Sequence, residues 1–297
     1  TAYRRQRQMC IRDRYQTYQD FMIQQPFFSF DVLHYEEQTQ QEPFAARYYA
    51  FTTPKVIRRT QDSVFMCCIP DGCLDIVFIR QHDTYKMEFI GSPFLHKSLI
   101  VYPDACYFGV RLKPGMYFPG EPVCLKELTN TETFVPQLST KLRVLLERLF
   151  DTQVLTRRMT LFQEYLQEFE PETYQVEEAV QHALYLISAS CGTWDMNSVA
   201  KEICYSERHL TRLFSESVGY SPKMFARIAR FQRALYQMVQ CGGTDAVSSY
   251  LDALNYADQA HFQREFKEFT GMTPRHFSAY LRACGHPVCP TPAAHSA

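Results

Sequence analysis

Arg212 and Arg264 stand 52 residues apart in matching surroundings. A guanidinium offers planar, paired donors, the chemistry that reads a guanine edge or clamps a phosphate. Around the first runs Ser206-Glu207-Arg208-His209-Leu210-Thr211-Arg212-Leu213-Phe214. Around the second runs Asp258-Gln259-Ala260-His261-Phe262-Gln263-Arg264-Glu265-Phe266. The same offset aligns Gly219 with Gly271, Ser221 with Thr273, Pro222 with Pro274 and Phe225 with Phe277. A lone exposed arginine is ordinarily just solvated. Two at equivalent places in a repeat, each away from an apolar stripe, fit a duplex groove better. His209 and His261 match too, but no second ligand stands at metal spacing, so no metal site is expected there.

Side chains can read a groove only from a helix that places them. Ser206 and Asp258 are residues that cap a helix start, accepting from amides the first turn leaves free. Leu210, Leu213 and Phe214, and in the second copy Phe262, Phe266 and Phe269, recur at helical spacing. Gly219 and Gly271 then stop the helices, and Ser221-Pro222 and Thr273-Pro274 restart new ones. Upstream of each copy a shorter helix is expected. Met196, Val199, Ala200 and Ile203 follow Asp195 as a cap, and Val247, Tyr250, Leu251 and Leu254 follow Asp245. The turns are Cys204-Tyr205 and Asn255-Tyr256-Ala257. Short helix, tight turn and capped second helix, twice over, is a helix-turn-helix pattern. From Ser221 to about Gln240 a longer helix joins the units, with Met224, Ile228, Phe231, Leu235 and Met238 as its core stripe. Charge lends this little support, since residues 191–297 carry 11 Lys and Arg against 9 Asp and Glu. The competing account is an all-helical bundle with no nucleic-acid role.

Residues 191–284 resemble the DNA-binding domain of AraC/XylS-type transcription regulators. The resemblance rests on Ser206-x3-Leu210-x-Arg212-x-Phe214, Gly219-x-Ser221-Pro222, Asp258-Gln259-Ala260-His261-Phe262-x2-Glu265-Phe266 and Phe269-Thr270-Gly271-Met272-Thr273-Pro274. It implies that both second helices enter successive major grooves on one face of a duplex. Arg208, Thr211 and Arg212 would face the groove in the first unit, and Gln259, Ala260, His261, Gln263 and Arg264 in the second, with Ser206 and Asp258 beside the backbone. It further implies double-stranded promoter DNA and RNA polymerase as partners. Two positions depart from the family pattern. Leu251 stands where a small residue is usual and is expected to tilt the second unit. Asn255 stands where glycine is usual, a milder change because Asn tolerates positive φ.

The rest of the chain reads differently. Cys73-Leu74-Asp75-Ile76-Val77-Phe78-Ile79, Lys86-Met87-Glu88-Phe89-Ile90 and Cys106-Tyr107-Phe108-Gly109-Val110-Arg111-Leu112 are strand-like, with turns at Pro70-Asp71-Gly72 and Lys113-Pro114-Gly115. A small β-barrel or sandwich is expected. From about Lys141 to Ser190 the period turns helical, with Leu142, Leu145, Leu146, Leu149, Leu161, Tyr165, Leu166 and Phe169 marking apolar faces. Pro70-Asp71-Gly72-Cys73-Leu74-Asp75, Gly91-Ser92-Pro93 and Gly109 to Gly115 resemble the N-terminal domain of one AraC-type subgroup. That resemblance implies a cupin-like β core with a sensory or oligomerising role.

The fold class is therefore α+β, a β-rich cupin-like N-terminal domain followed by an all-α C-terminal domain with two helix-turn-helix units. The expected divisions are 15–150 for the β-rich domain, 151–190 for a helical linker, 191–284 for the reader and 285–297 for a disordered tail. Residues 1–14, which include Met9-Cys10-Ile11-Arg12-Asp13-Arg14, read as a non-native segment derived from a sequencing adapter. No run of apolar residues is long enough for a membrane span. The 11 cysteines form no C-x-x-C pair and read as reduced thiols in a cytoplasmic protein. His34, His82 and His96 are isolated, and Asp71 and Asp75 fit a turn and a strand better than acid–base work, so no enzyme, cofactor or metal is expected. The expected function is sequence-specific DNA binding that regulates promoters, with a small-molecule effector and a homodimer as candidate partners. A constitutive regulator whose N-terminal domain only dimerises is the alternative. An enzyme tethered to a DNA reader comes third.

Overall fold

The computed structural model describes residues 25–26, 32–39, 42–55, 66–99, 101–119, 124–170, 175–241 and 251–283. The segments 1–14 and 285–297, and the helix expected behind Asp245 through Val247 and Tyr250, lie outside them.

The run Leu74-Asp75-Ile76-Val77-Phe78-Ile79 is apolar on both sides of its alternation, which only a strand covered on two faces can use. It forms β4 (Leu74–Gln81) inside a six-stranded antiparallel sheet with β1 (Leu33–Gln38), β2 (Ala45–Thr52), β5 (Thr84–Gly91), β7 (Ala105–Leu112) and β8 (Glu132–Phe134). The order is β1-β2-β7-β4-β5-β8. A second, two-stranded ribbon pairs β3 (Met66–Cys68) with β6 (Lys97–Leu99). Ile76 and Phe78 point to one core, Val77 and Ile79 to another. The first core is closed by α2 (Thr140–Phe150) and α3 (Leu155–Leu166), whose Phe162 ring packs on Phe78, Phe108 and Phe118. The second is closed by Cys68 and Leu99 of the ribbon.

The sheet is open. Among the described residues β1 and β8 are edges, β1 is mostly exposed, and its pairing with β2 shifts register between Leu33 and Glu36. A polar, bulged edge strand discourages further pairing, so the expected barrel gives way to a layered arrangement of helices, sheet and ribbon. Within the sheet, Gly109 lies opposite Tyr49, and a Cβ there would come within 1.9 Å of that ring. The glycine lets Tyr49 lie across the strand and donate its hydroxyl to Asp75 at 3.0 Å.

The remaining helices share one further core. They are α4 (Glu178–Ala189), α5 (Met196–Glu202), α6 (Glu207–Val218), α7 (Pro222–Cys241), α8 (Gln259–Thr270) and α9 (Pro274–Ala283). The apolar stripe of α7 runs along it: Phe225 meets Phe214 of α6, and Phe231 meets Phe266 and Phe269 of α8. Cys67 and Ile69 join this core from the sheet side. A one-turn helix, α1 (Leu125–Leu128), bridges the two halves by lying against α6.

Candidate nucleic-acid interface

Each helix of the repeat begins and ends on the residues that local chemistry favours. Asp195 accepts from Ser198 N at 3.0 Å to start α5. Ser206 accepts from His209 N at 3.2 Å to start α6, and Asp258 accepts from His261 N at 2.6 Å to start α8. Ser221 and Thr273 take Met224 N and His276 N in the same way at the starts of α7 and α9. Helices α6 and α8 stop at Gly219 and Gly271, at φ 87° and 76°, where an L side chain would be strained. The turn before α6 carries Cys204 at φ 62°, and the turn before α8 carries Asn255 at φ 54°. Asn255 thus takes the conformation for which glycine is usual, and Leu251 is buried in the shared core.

Burial then divides each helix. Leu210, Phe214 and Val218 of α6 face inward, as do Phe262, Phe266 and Phe269 of α8. Ser206, Arg208, Thr211 and Arg212 are exposed, as are Gln259, Ala260, Gln263 and Arg264; His261 is half-buried. Arg208 and Arg264 form no ion pair among the described residues. Arg212 donates to Glu216 Oε2 at 2.8 Å, one turn along, with both side chains more than half exposed at 59% and 51%. Such a surface pair is worth only about 0.3–0.5 kcal/mol, so Glu216 holds Arg212 weakly. His209 packs edge-on against Tyr205, and His261 against Tyr256. Ala257 N donates to His261 Nδ1 at 3.4 Å.

The second helix is anchored by a group whose anchoring role the sequence did not reveal. Glu265 is buried, although it occupies the place of Leu213 in the first copy. It accepts from Arg227 Nε at 2.9 Å, Arg230 Nη2 at 3.1 Å and Tyr256 Oη at 2.9 Å. Burial and the charge of Glu265 hold the Tyr256 hydroxyl well above its usual range. Arg227 also reaches Glu268 at 3.0 Å. The carboxylate therefore ties α8 to α7 and to its own turn. The apolar-to-acidic change between the two copies was the signal for it.

The N-terminal half shows buried chemistry of a structural kind. Arg111 grips Asp75 through two bonds of 2.8 and 2.6 Å and lies 3.4 Å from Asp71. Cys67, Cys68 and Cys73 are buried, and burial pushes the Cys67 thiol up to about 11, away from reactive thiolate. Among the described residues no three His, Cys, Asp or Glu side chains gather as a metal site, and no helix is long and apolar enough to cross a membrane.

Two capped helices on one scaffold, with polar faces outward, form a helix-turn-helix arrangement. Residues 199–280 match the family model described as a helix-turn-helix domain. The chain is 29% identical over 127 residues to the arabinose operon regulatory protein of Escherichia coli K12, covering 43% of this chain and 41% of that protein. It is 32% identical over 124 residues to the uncharacterized HTH-type transcriptional regulator YidL of the same organism, covering 41% and 39%. The chain thus spans about two fifths of the length of the curated relatives it matches. Among solved structures, fatty-acid-bound ToxT of Vibrio cholerae aligns at 10% identity and a TM-score of 0.41, over 82% of this chain and 93% of that one. The C-terminal part of the chain thus carries a helix-turn-helix domain.

Proposed function

We propose that the protein is a sequence-specific DNA-binding transcription regulator. In this reading α6 and α8 enter successive major grooves of promoter DNA. Arg208, Thr211 and Arg212 read the first half-site, and Gln259, Ala260, His261, Gln263 and Arg264 read the second. Ser206 lies beside the backbone. One observation carries the reading: apart from the half-buried His261, the expected groove residues are exposed on two helices whose inward faces share a single core. RNA polymerase is the expected downstream partner. The sheet domain is the expected seat of a small-molecule effector or a homodimer contact, and the site of action is the cytoplasm. No catalytic role is assigned.

The test is selection of duplexes from a random pool by the full chain, repeated with Arg212→Ala and Arg264→Ala. The wild type should enrich a two-part motif with halves about one helical turn apart, and each substitution should relax one half. Enrichment that depends on Arg212 alone would mean that Leu251 has turned the second unit away from the bases. No enrichment at low salt would overturn the reading.

A further inference from the structure

The two glycines that end α6 and α8 are equivalent in the repeat, and both lie close to residues of the sheet half, Gly219 half-buried and Gly271 exposed. At Gly219 a Cβ would meet Thr129 Oγ1 at 1.9 Å and Lys126 Cα at 3.1 Å. At Gly271 it would meet His96 Nε2 at 2.8 Å. Thr129 Oγ1 lies 3.3 Å from the carbonyl of Val218, the last residue of α6. Next to Gly219, the buried Tyr220 hydroxyl donates to Ser92 O at 2.8 Å, and Phe94 packs edge-on against its ring. One short loop, Ser92 to His96, therefore touches both reading units. Nothing in α6 or α8 requires a neighbour at these turns, because each helix already buries its apolar stripe in the shared core.

The loop is itself fixed from behind. Ser92 Oγ accepts from Asp71 N at 3.1 Å and Gly72 N at 2.9 Å, and Ser92 N donates to Cys73 O at 2.9 Å. Asp71 is held in turn by Gln25 at 2.9 Å and by Arg111 of β7. The same turn touches the helix between the units: Gln232 donates to Pro70 O at 2.7 Å, and a Cβ at Gly72 would come within 2.6 Å of the Phe225 ring. Hydrogen bonds thus run from the middle of the sheet to the end of α6 and to the helix joining the units, while the end of α8 is met by the His96 ring.

We propose that Ser92, His96 and Thr129 are positioning residues for DNA reading, which hold the C-terminal turns of α6 and α8 in one arrangement and so fix the half-site spacing the protein accepts. The proposal deepens the DNA-binding reading and rests on it. The sheet domain is then part of the reading head, and a shift of the Pro70–Cys73 turn changes both units together.

The test uses the full chain and duplexes whose two half-sites are moved apart or together by one and two base pairs. Wild type should prefer one spacing by about tenfold or more. Ser92→Ala, Thr129→Ala and the exposed, fold-neutral His96→Ala should flatten that preference while leaving affinity for the best spacing within about threefold, and Ser92→Thr should restore it. An unchanged spacing profile in all three would overturn the proposal. Hydrogen exchange on the same proteins without DNA gives an independent readout. Ser92→Ala, which keeps the carbonyl that Tyr220 donates to but removes the acceptor of the Asp71 and Gly72 amides, should speed exchange at the turns after both Gly219 and Gly271 by about tenfold. A change confined to Tyr220 would again overturn the proposal. If wild type selects no duplex at all, it is the DNA reading that fails, and the exchange result still decides whether the sheet domain holds both turns.

Discussion

At the scale of single residues, two exposed charges of the helix pairs have separable jobs. Glu216 occupies Arg212 and adds a negative charge where a phosphate would approach. Glu216→Gln should therefore raise affinity for the selected duplex about threefold to tenfold at low salt, with the gain fading as salt rises. A titration at two salt concentrations checks this, and an equal gain at both would count against it. Asp195 works through its cap. Hydrogen bonds from Ser198 favour its ionised form and hold its carboxyl below the usual range. A lowered folded-state value gives stability that is present above the unfolded-state value and lost as pH falls through the lowered one. Helix α5 should thus fray in acid, below about pH 4, and Asp195→Asn should flatten that dependence. Amide exchange in α5 against pH measures it.

At the scale of elements, what holds α8 to α7 is more than apolar contact. Removing Glu265 leaves the half-buried Arg227 and Arg230 and the buried Tyr256 hydroxyl without their shared acceptor. Glu265→Ala should cost about 3 kcal/mol in denaturant unfolding, and should weaken the half-site read by α8 more than the one read by α6. Equal loss at both half-sites would mean that Glu265 stabilises the whole core without placing α8. Element positions were legible where local rules decide them. Caps at Asp195, Ser206 and Asp258 and stops at Gly219 and Gly271 stand where the sequence put them. Strands β4, β5 and β7 followed their apolar runs. Edge strand β1, Leu-His-Tyr-Glu-Glu-Gln, has no such run, and the one-turn α1 is too short for any period to show.

For the whole molecule, Arg111 is the point on which sheet and reader both depend. It lies within ion-pair distance of the buried carboxyl groups of both Asp71 and Asp75, and the turn it steadies carries the contacts to Gln232 and Phe225. Arg111→Met should leave Asp71 and Asp75 buried without a cation and cost about 3–5 kcal/mol. Because Cys67 and Ile69 belong to the reader's core, the loss should appear as one shifted unfolding transition followed by both near- and far-ultraviolet signals. A separate, unshifted transition for the helical part would show the two halves to be independent.

The sequence by itself determined the repeat, the caps and stops of its helices, and which faces of those helices meet water. These depend on residues a few positions apart, so spacing encodes them. Only the tertiary structure decided that Glu265 would be an anchor, that the sheet would stay open, and that Ser92, His96 and Thr129 would touch the ends of both recognition helices. Those contacts join residues about 90 to 180 positions apart in the chain, except within the Glu265 cluster, where they span 9 to 38. No local period records a pairing made by packing one domain against another, because the free energy that selects it belongs to the assembled core and not to any one segment.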